Sequence, residues 1–494
     1  MRTALGVALA GALVAGSVGS PVRIPLRVAS REAPERPNIV VLMTDDQTAE
    51  SLRYLPNVQR LLVAQGTTFE NHFASYPLCC PARATYLTGQ YSHNHDVTYN
   101  EGTTGGYTAF RGRRRIVPVA LQRVGYTTIH IGKYLNGYGL LHPTDVPAGW
   151  DDWQATVDPT TYRYYGFVLN QNGRLNGFPP HEYQTEVETR LAMLAIRRHE
   201  RSRHPFFLDV AFLAPHAVQR ETSGLDPLDE RAVGPGRRRH GIRYPVPERR
   251  DRGKFDGVPV PDTESFAEAD VSDKPLDIQQ RPLFTPREAA SIVENYHLRL
   301  ETLLAVDRGV ARIVHALTRA HHLRDTYIIF VSDNGFFHGE HRVPFGKYLP
   351  YEPSIRVPLV IRGPYVREGV TSGALTSDVD LPATILELAE ARPPRRLDGR
   401  SLVPLLRGHR LERRRRAVLL ESGRNNVGAP VYSGLRTRRY KYVEYLDGER
   451  ELYDLRLDPH ELTNVAGAPA VRAVQRRLAR QLARVRACRG DACP

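Results

Sequence analysis

Cysteine, lysine and long apolar segments are all scarce in this chain, and each shortage narrows what the protein can be. The 494 residues include four cysteines, which fall into two local pairs, Cys79 with Cys80 and Cys488 with Cys493. After the N-terminus, no stretch approaches the ~18 uninterrupted apolar residues that a membrane-spanning helix needs. We therefore expect a soluble mature protein without stable membrane insertion.

Lysine is so rare that the formal net charge of +14 comes overwhelmingly from arginine. The five lysines are Lys133, Lys254, Lys274, Lys347 and Lys441. Arginine runs at 111–115, 237–239 and 413–416 are suited to polyanions, although solvated surface is the favoured interpretation. No helix-turn-helix, zinc-finger or aromatic RNA-binding pattern accompanies them, so no nucleic-acid partner is expected.

The N-terminus predicts export. Arg2 precedes an apolar run over residues 4–15, which is the charged start and short hydrophobic segment of a secretory signal peptide. We assign residues 1–20 to this peptide and expect a secreted or otherwise extracytoplasmic protein. In an oxidising compartment, Cys488 and Cys493 would close a small disulfide loop. A metal pair is less favoured there because no other ligand cluster lies beside it.

Continuous apolar runs predict strands buried on both faces, and polar residues suited to a site follow two of them. The run 38–43 is followed by Asp45 and Asp46, and the run 326–332 by Asp333 and Asn334. The carboxyl ends of strands are where α/β sheets build their sites, and these oxygens suit a hard divalent cation. Taken alone, the aspartate pair also fits a capping turn, and Asn-Gly at 334–335 fits a hairpin.

Further periodicities predict alternating helices and strands over most of the chain. The expected helices lie near 56–65, 117–124, 182–198, 286–320 (one or two helices), 377–390 and 469–487. The expected strands lie near 125–133 and 205–213, with short antiparallel strands over 431–454. Residues 217–284 show little periodicity and are interpreted as a long insertion bordering the site.

The densest chemical signal is the stretch CCPARATYLTG at 79–89. Pro81 suits the first turn of a helix, so Cys79 is expected at a helix N-terminus with Arg83 beside it. Such a setting attracts an anion. On the three letters CCP alone, a buried cysteine pair or a vicinal disulfide fits equally well.

This stretch resembles the signature CxPxR followed by LTG of the formylglycine-dependent sulfatases. In that frame Cys79 is the residue converted to formylglycine, because a frame starting at Cys80 would place Ala84 where arginine is required. Ala82 stands where many members have serine. The resemblance covers nearly the whole mature chain through PNIVVLMTDDQ, GYTTIHIGK, VSDNG, the Gly-Lys pair ending at Lys347, RVPL and YDLRLDPHELTN.

The resemblance implies an α/β fold, an alkaline-phosphatase-like sandwich around a central mixed sheet with a small C-terminal antiparallel sheet and helix. The signal peptide is then followed by a catalytic domain over 36–410 and a C-terminal subdomain over 411–494. It also implies a formylglycine-generating enzyme as the partner in maturation.

The site that the resemblance implies contains calcium and the formylglycine derived from Cys79. The implied Ca²⁺ ligands are Asp45, Asp46, Cys79, Asp333 and Asn334. The implied catalytic residues are Cys79, Arg83, Lys133, His216 and Lys347, and the implied substrate-binding residues are Asn100, Lys133, His216 and Lys347. The formylglycine hydrate would attack sulfur and form a sulfate ester, with His216 or Lys347 as the acid for the leaving alcohol. From the residues alone, a lone histidine after a strand and a loop asparagine are both ordinary structural features.

Three features favour a sulfated sugar, above all the 6-O-sulfate of glucosamine, with simple aryl sulfates as further substrates. They are the sequence HNH at 93–95, KYLN at 133–136 in place of the common Lys-Trp-His continuation, and the basic surface. The first two resemble the N-acetylglucosamine-6-sulfatase branch. Two alternatives stay open: a phosphonate monoester or phosphodiester hydrolase, which shares CxPxR, and an inactive secreted protein that binds polyanions.

Overall fold

The computed structural model describes residues 36–218, 244–261, 264–409, 415–423 and 429–494. The predicted signal peptide, the arginine run 237–239 and much of the predicted insertion lie outside these ranges. Within them, no helix combines the length and the apolarity that crossing a bilayer requires.

Strands account for the centre of the protein and for a second, smaller sheet. In chain order they are β1 (Asn38–Thr44), β2 (Thr67–Phe69), β3 (His72–Phe73), β4 (Thr127–Gly132), β5 (Asp152–Thr156), β6 (Val168–Gln171), β7 (Arg174–Gly177), β8 (Phe206–Ala211), β9 (Thr326–Ser332), β10 (Leu359–Arg362), β11 (Val370–Ser372), β12 (Thr376–Ser377), β13 (Ala417–Glu421), β14 (Tyr432–Thr437), β15 (Tyr440–Tyr445) and β16 (Arg450–Asp454). Ten of them form one sheet in the order β11-β2-β10-β9-β1-β8-β4-β5-β6-β7.

The main sheet is mixed, as predicted. Strands β9, β1, β8, β4 and β5 run parallel to one another, and β10 and β6 pair antiparallel at either side of this block. In the register of the centre, Val41 on β1 lies between Asp209 on β8 and Ile329 on β9. Parallel neighbours end at the same edge, which fixes where a site can form.

Helices cover both faces of this sheet. They are α1 (Pro56–Val58), α2 (Cys79–Thr88), α3 (Ser92–His95), α4 (Gly106–Ala109), α5 (Val117–Arg123), α6 (Gln184–Arg198), α7 (Leu276–Gln279), α8 (Pro286–Arg319), α9 (Glu352–Ile355), α10 (Asp380–Leu388), α11 (Val403–Leu406) and α12 (Arg472–Val485). One face of β1 packs with α2, α5 and α10, and the other packs with α6 and α8. Shorter helical turns occupy Ala49–Tyr54, Gln59–Val63, Thr160–Tyr162, Arg249–Asp251, Leu323–Asp325, Pro469–Val471 and Gly490–Ala492.

The segment predicted as one or two helices is a single helix, α8, of 34 residues. Its start is fixed by Thr285, whose hydroxyl accepts from the backbone of Glu288 while the Glu288 carboxylate accepts from the backbone of Thr285. This reciprocal capping satisfies two backbone donors at the helix start. After its first residue, α8 contains no proline and one glycine, Gly309, which does not end the helix. Gly309 packs closely against Thr189 of α6.

The smaller sheet has the order β13-β14-β15-β16 and carries α12 on one face. Its other face packs on Phe73, Ile355 and Leu375 of the main unit, which is the part of the chain built around the ten-stranded sheet. The alternation over 431–454 predicted β14 to β16. It did not predict β13, whose residues are buried on both sides and therefore do not alternate.

The four cysteines separate into the predicted disulfide and two thiols. Cys488 and Cys493 are joined. Cys79 and Cys80 are both buried and free, so the structure shows no vicinal disulfide.

Candidate active site

Four neighbouring parallel strands deliver polar side chains to one edge of the main sheet. Each of the strands β9, β1, β8 and β4 ends at this edge. The residues that follow them are Asp333 and Asn334 after β9, Asp45 and Asp46 after β1, His216 after β8 and Lys133 after β4. The structure therefore brings together predicted site residues that are far apart in the chain.

Hydrogen bonds join the two acidic strand ends. The backbone N–H of Asp46 donates to Asp333 Oδ1 at 3.1 Å, and Asn334 Nδ2 donates to Asp46 Oδ1 at 2.7 Å. Asp46 has a φ of 71°, a left-handed conformation that is costly for a residue with a side chain. Arg299 of α8 donates to the Asp46 carbonyl at 2.6 Å and helps to hold this turn. Sequence reasoning missed Arg299, because a buried arginine within an amphipathic helix has no local signature.

Cys79 is the first residue of α2 and faces the acidic pair. Its Sγ lies 3.3 Å from Asp45 Oδ1 and 3.9 Å from Asp46 Oδ1. Lys347 Nζ lies 2.8 Å from the same sulfur. Cys80 instead belongs to the hydrophobic core, so the two adjacent cysteines occupy chemically different surroundings.

Four cationic or basic side chains surround the carboxylates. Arg83 Nε donates to Asp333 Oδ2 at 2.8 Å, and Lys133 and Lys347 form ion pairs with Asp45 and Asp46, respectively. His216 Nε2 lies 3.8 Å from Asp46 Oδ2. Buried charges are tolerated only when opposite charges compensate them, so this edge is built around a closely balanced set of ions.

Tyr162 is a second site residue that sequence reasoning did not single out. The centroid of its ring lies 4.8 Å from Lys133 Nζ. The same centroid lies 5.0 Å from the centroid of the His216 ring. The tyrosine-rich stretch at 162–165 was a usable signal, since an aromatic face attracts a cation.

The carboxyl groups of the site titrate differently from one another. Burial tends to raise the pKa of Asp45, but Lys133, His216 and Arg83 outweigh it and hold that pKa well below its usual value. Burial, reinforced by Asp45, raises the pKa of Asp333. Asp45 is therefore firmly ionised, as a ligand for a cation must be.

Burial also sets the state of the other polar groups. It raises the pKa of the Cys79 thiol, and Asp45 adds to the effect, so the unmodified sulfur is a poor nucleophile. Burial lowers the pKa of His216 to about 4 against the opposing influence of Asp45 and Asp46. A neutral imidazole is the form that binds a metal or accepts a proton.

The residues present fit a divalent metal ion. Donor atoms of Asp45, Asp46, Cys79 and His216 all lie within 4.8 Å of one another. Asn334 Oδ1 is buried and has no hydrogen-bond partner within the described ranges. A buried, unpaired amide oxygen next to two carboxylates matches the oxygen ligands that Ca²⁺ prefers. Asp333 belongs to the same hydrogen-bond network. His216, which was predicted to bind substrate, also lies close enough to Asp45, Asp46 and Cys79 to bind the same metal ion.

Asn100 has a role that the sequence did not predict. Its Oδ1 accepts a hydrogen bond from the backbone N–H of Cys80 at 2.9 Å. This contact satisfies a free backbone donor in the first turn of α2, one residue after Cys79. Its assignment to substrate binding remains a prediction.

The HNH sequence lies against the C-terminal tail and not among the strand-end residues. His93 contacts Glu421 through Nδ1 at 2.6 Å and the Cys488 carbonyl through Nε2 at 2.9 Å. Asn94 donates to the same carbonyl at 2.8 Å, and His95 contacts Thr85 at 3.1 Å. The contacts of His93 and Asn94 hold α3 against the C-terminal tail, so HNH supports a substrate assignment through the resemblance alone and not through a contact in the site.

Comparison with known proteins identifies the family. The family model described as Sulfatase matches residues 37–391, and the model described as N-sulphoglucosamine sulphohydrolase, C-terminal, matches residues 339–488. The chain belongs to the sulfatase family. It is a sulfuric ester hydrolase with the alkaline-phosphatase-like fold that the resemblance implied.

Two curated relatives align with most of the sequence of this sulfatase. An arylsulfatase of Volvox carteri is 32% identical over 502 residues, covering 93% of this chain and 76% of the relative. An N-acetylglucosamine-6-sulfatase of Homo sapiens is 30% identical over 482 residues, covering 87% of this chain and 81% of the relative.

Two solved structures share the fold at 25% identity. One, solved in complex with its substrate D-glucosamine-2-N,6-O-disulfate, has a TM-score of 0.73 and covers 91% of this chain and 97% of its own. The other is the phosphonate monoester hydrolase of Agrobacterium radiobacter, with a TM-score of 0.69 and coverages of 91% and 95%.

Proposed function

We propose that this sulfatase hydrolyses sulfate esters of sugars, with a formylglycine made from Cys79 as the nucleophile and Ca²⁺ as the bound metal. The observation that carries the proposal is the placement of Cys79. Its sulfur lies among Asp45, Asp46 and Lys347, while Cys80 lies in the core. This difference supports Cys79, and not Cys80, as the residue that delivers a nucleophile to a metal-bound anion.

Each reacting group has a residue of this chain to hold it. The hydrate of formylglycine 79 supplies the attacking hydroxyl and, through its second hydroxyl, the means to release sulfate. Lys347, 2.8 Å from the position of the sulfur, neutralises charge at the nucleophile. Arg83 orients Asp333 at 2.8 Å, and Lys133, directly after β4, would neutralise charge on the sulfate oxygens.

Ca²⁺ would be held by Asp45, Asp46, Asp333 and Asn334. Residue 79 would be a further ligand of the same ion. Bound there, the ion supplies Lewis-acid stabilisation of a sulfate oxygen. The unpaired Oδ1 of Asn334 supports this ligand set.

The proposed substrate is a 6-O-sulfated glucosamine unit of a sulfated glycan. The human relative named for N-acetylglucosamine 6-sulfate, the neighbour that holds a 6-O-sulfated glucosamine and KYLN at 133–136 support it. The arylsulfatase relative supports turnover of aryl sulfates as well. Assays of matured protein with 6-O-sulfated N-acetylglucosamine and with an aryl sulfate test this assignment; aryl turnover without sugar turnover would contradict it.

Export and maturation complete the proposal. The apolar run at 4–15 and the disulfide between Cys488 and Cys493 support a secreted protein matured by a formylglycine-generating enzyme. Coexpression with and without that enzyme, followed by mass spectrometry of the exported protein, tests both parts together.

A phosphonate monoester hydrolase is the second candidate function, favoured by the similarity to the Agrobacterium enzyme. Against it, Lys133 and Lys347, both paired with the site carboxylates, better suit a terminal sulfate with three free oxygens than a phosphonate monoester or a phosphodiester, each of which has two. Comparing kcat/KM for an aryl sulfate and an aryl phosphonate decides between the two. An inactive polyanion-binding protein is disfavoured because the chain retains all the metal-ligand and cationic residues that the sulfatase resemblance implies.

A further inference from the structure

A basic cavity lies between the C-terminal helix and the small sheet, away from the residues of the catalytic site. Its volume is about 310 Å³. The lining residues that matter here are Tyr442 and Glu444 of β15, Arg450 of β16, and Arg472, Gln475 and Arg476 of α12. The cavity lies on the face of the sheet that carries α12, opposite the face that packs on the main unit.

Three arginines enter this cavity from two walls. Arg472 and Arg476 are one helical turn apart on α12 and so project from the same face. Arg450 approaches from β16, where it is directly opposite Glu444. All three side chains are exposed, and within the described residues none of them takes part in an ion pair.

Two other arginines near the small sheet are paired. Arg439 contacts Asp454 at 2.7 Å and Arg486 contacts Glu444 at 2.8 Å. Arg477, Arg480 and Arg484 of α12 also take part in no ion pair within the described residues, but they do not line the cavity. What distinguishes Arg450, Arg472 and Arg476 is that two elements bring them to one cavity.

The carboxylate in the lining does not neutralise these arginines. Glu444 accepts from Arg486 through Oε2 at 2.8 Å and from the Tyr442 hydroxyl through Oε1 at 2.8 Å. Both of its oxygens are thus engaged outside the trio. The first turn of α12 also contains no acidic residue, so the cavity keeps a net positive charge.

We propose that this cavity binds the sulfate or carboxylate groups of an anionic polysaccharide, giving a polymeric substrate a second attachment outside the catalytic site. Guanidinium groups bind such oxyanions through paired hydrogen bonds. The cavity falls within the ~300–1,000 Å³ typical of sites for organic ligands, which suits a charged sugar unit. The choice of polymer rests on the proposed function; the anion-binding site itself does not.

The test compares two triple variants with equal change in charge. The cavity variant is Arg450→Gln, Arg472→Gln and Arg476→Gln. The control is Arg477→Gln, Arg480→Gln and Arg484→Gln, three exposed arginines of the same helix outside the cavity lining. Both are made in a Cys79→Ala background, so that binding of a heparin-derived hexasaccharide is measured by calorimetry without turnover.

We expect the cavity variant to bind the hexasaccharide about tenfold or more weakly, since hydrogen bonds to charged groups contribute strongly, and the control to lose less than about twofold. An equal loss in both variants, or no loss in either, would overturn the proposal. A DNA oligonucleotide of equal charge that shows the same cavity-specific loss would assign the site to polyanions in general and overturn the glycan assignment.

A kinetic comparison in the active protein separates this site from the proposed function. The cavity variant should raise KM for the sulfated polymer while leaving kcat/KM for a monosaccharide sulfate unchanged. Absence of any sulfatase activity would contradict the proposed function. The binding experiment with the Cys79→Ala protein would still test whether the cavity binds an anionic polysaccharide. An equal rise in KM for both substrates would show that the cavity has no role in attaching polymer.

Discussion

The hydroxyl of Tyr432, on the small sheet, donates a 2.6 Å hydrogen bond to the backbone carbonyl of Tyr348 on the main unit. Tyr348 follows Lys347 directly and has a φ of 91°, a strained conformation for a residue with a side chain. Its backbone N–H donates to the Pro77 carbonyl at 3.0 Å, close to Cys79. The C-terminal sheet thus helps to fix the loop that carries a proposed catalytic lysine.

Tyr432→Phe should therefore lower activity as well as stability. Loss of this buried hydrogen bond costs roughly 1–3 kcal/mol, because the Tyr348 carbonyl loses a buried donor, and the strained loop gains freedom to move Lys347. We expect kcat to fall about tenfold with little change in KM. Tyr445→Phe is the matched control, since it removes a buried hydroxyl that contacts Glu451 and not the loop. An equal loss of kcat in both variants would remove the positioning role.

The two adjacent cysteines should respond differently to substitution. Cys79→Ala should abolish turnover without unfolding the protein, because a small side chain is lost from a polar site. Cys80→Ala should keep most activity and cost about 1 kcal/mol of stability, as expected for a small core truncation. Peptide mass spectrometry should find formylglycine at position 79 and an intact thiol at position 80. Modification at position 80 would contradict the frame.

Asn334 tests the metal site with little disturbance of the nearby charges. Asn334→Ala removes the unpaired Oδ1 and should weaken Ca²⁺ binding. In the wild type, added Ca²⁺ should raise Tm, since a ligand that binds only the folded state stabilises it by about 2.7 kcal/mol at a hundred times its Kd. The variant should show a much smaller rise. Stoichiometric zinc by metal analysis, or an equal calcium response in both proteins, would oppose this assignment.

Much of this site could be predicted because its residues follow buried strands. Apolar runs identified β1 and β9, and parallel pairing places their ends side by side. The structural role of HNH could not be predicted for a physical reason: the partners of His93 lie at Glu421 and Cys488, more than 300 positions away. Tertiary contacts of that kind, like the bond from Arg299 to Asp46, leave no local pattern.

The two proposed acids can be separated by leaving-group dependence. Lys347 lies 2.8 Å from the sulfur of Cys79, on the side of the nucleophile, so Lys347→Gln should slow aryl and sugar sulfates alike. His216→Gln should slow the sugar sulfate by about 10²–10⁴-fold, the usual range for general acid catalysis, and 4-nitrophenyl sulfate much less. Because its lowered pKa leaves the His216 ring neutral in the ligand-free site, this role requires the ring to gain a proton when the anionic ester binds. Metal content of each variant is the control, since His216 lies within ligand distance. The reverse pattern would assign the acid to Lys347.

The contact between His93 and Glu421 should make stability depend on pH. Both ring nitrogens of His93 face acceptors, the Glu421 carboxylate and the Cys488 carbonyl, and the protonated ring can donate to both at once. Burial tends to lower the pKa of His93, but the hydrogen bond and charge of Glu421 outweigh it and raise that pKa above 6.5. A raised pKa means that the stabilisation is complete below pH ~6.5 and is lost as the pH rises through the folded-state value.

His93→Gln should therefore lower Tm by more at pH 6 than at pH 8.5, because only the protonated histidine contributes the extra stabilisation. Differential scanning calorimetry of the wild type and the variant across this range measures the effect. His142→Gln, at an exposed position, is the matched control and should give a difference in Tm that does not change with pH. A constant loss of Tm in His93→Gln at every pH would mean that the contact stabilises the tail without titrating.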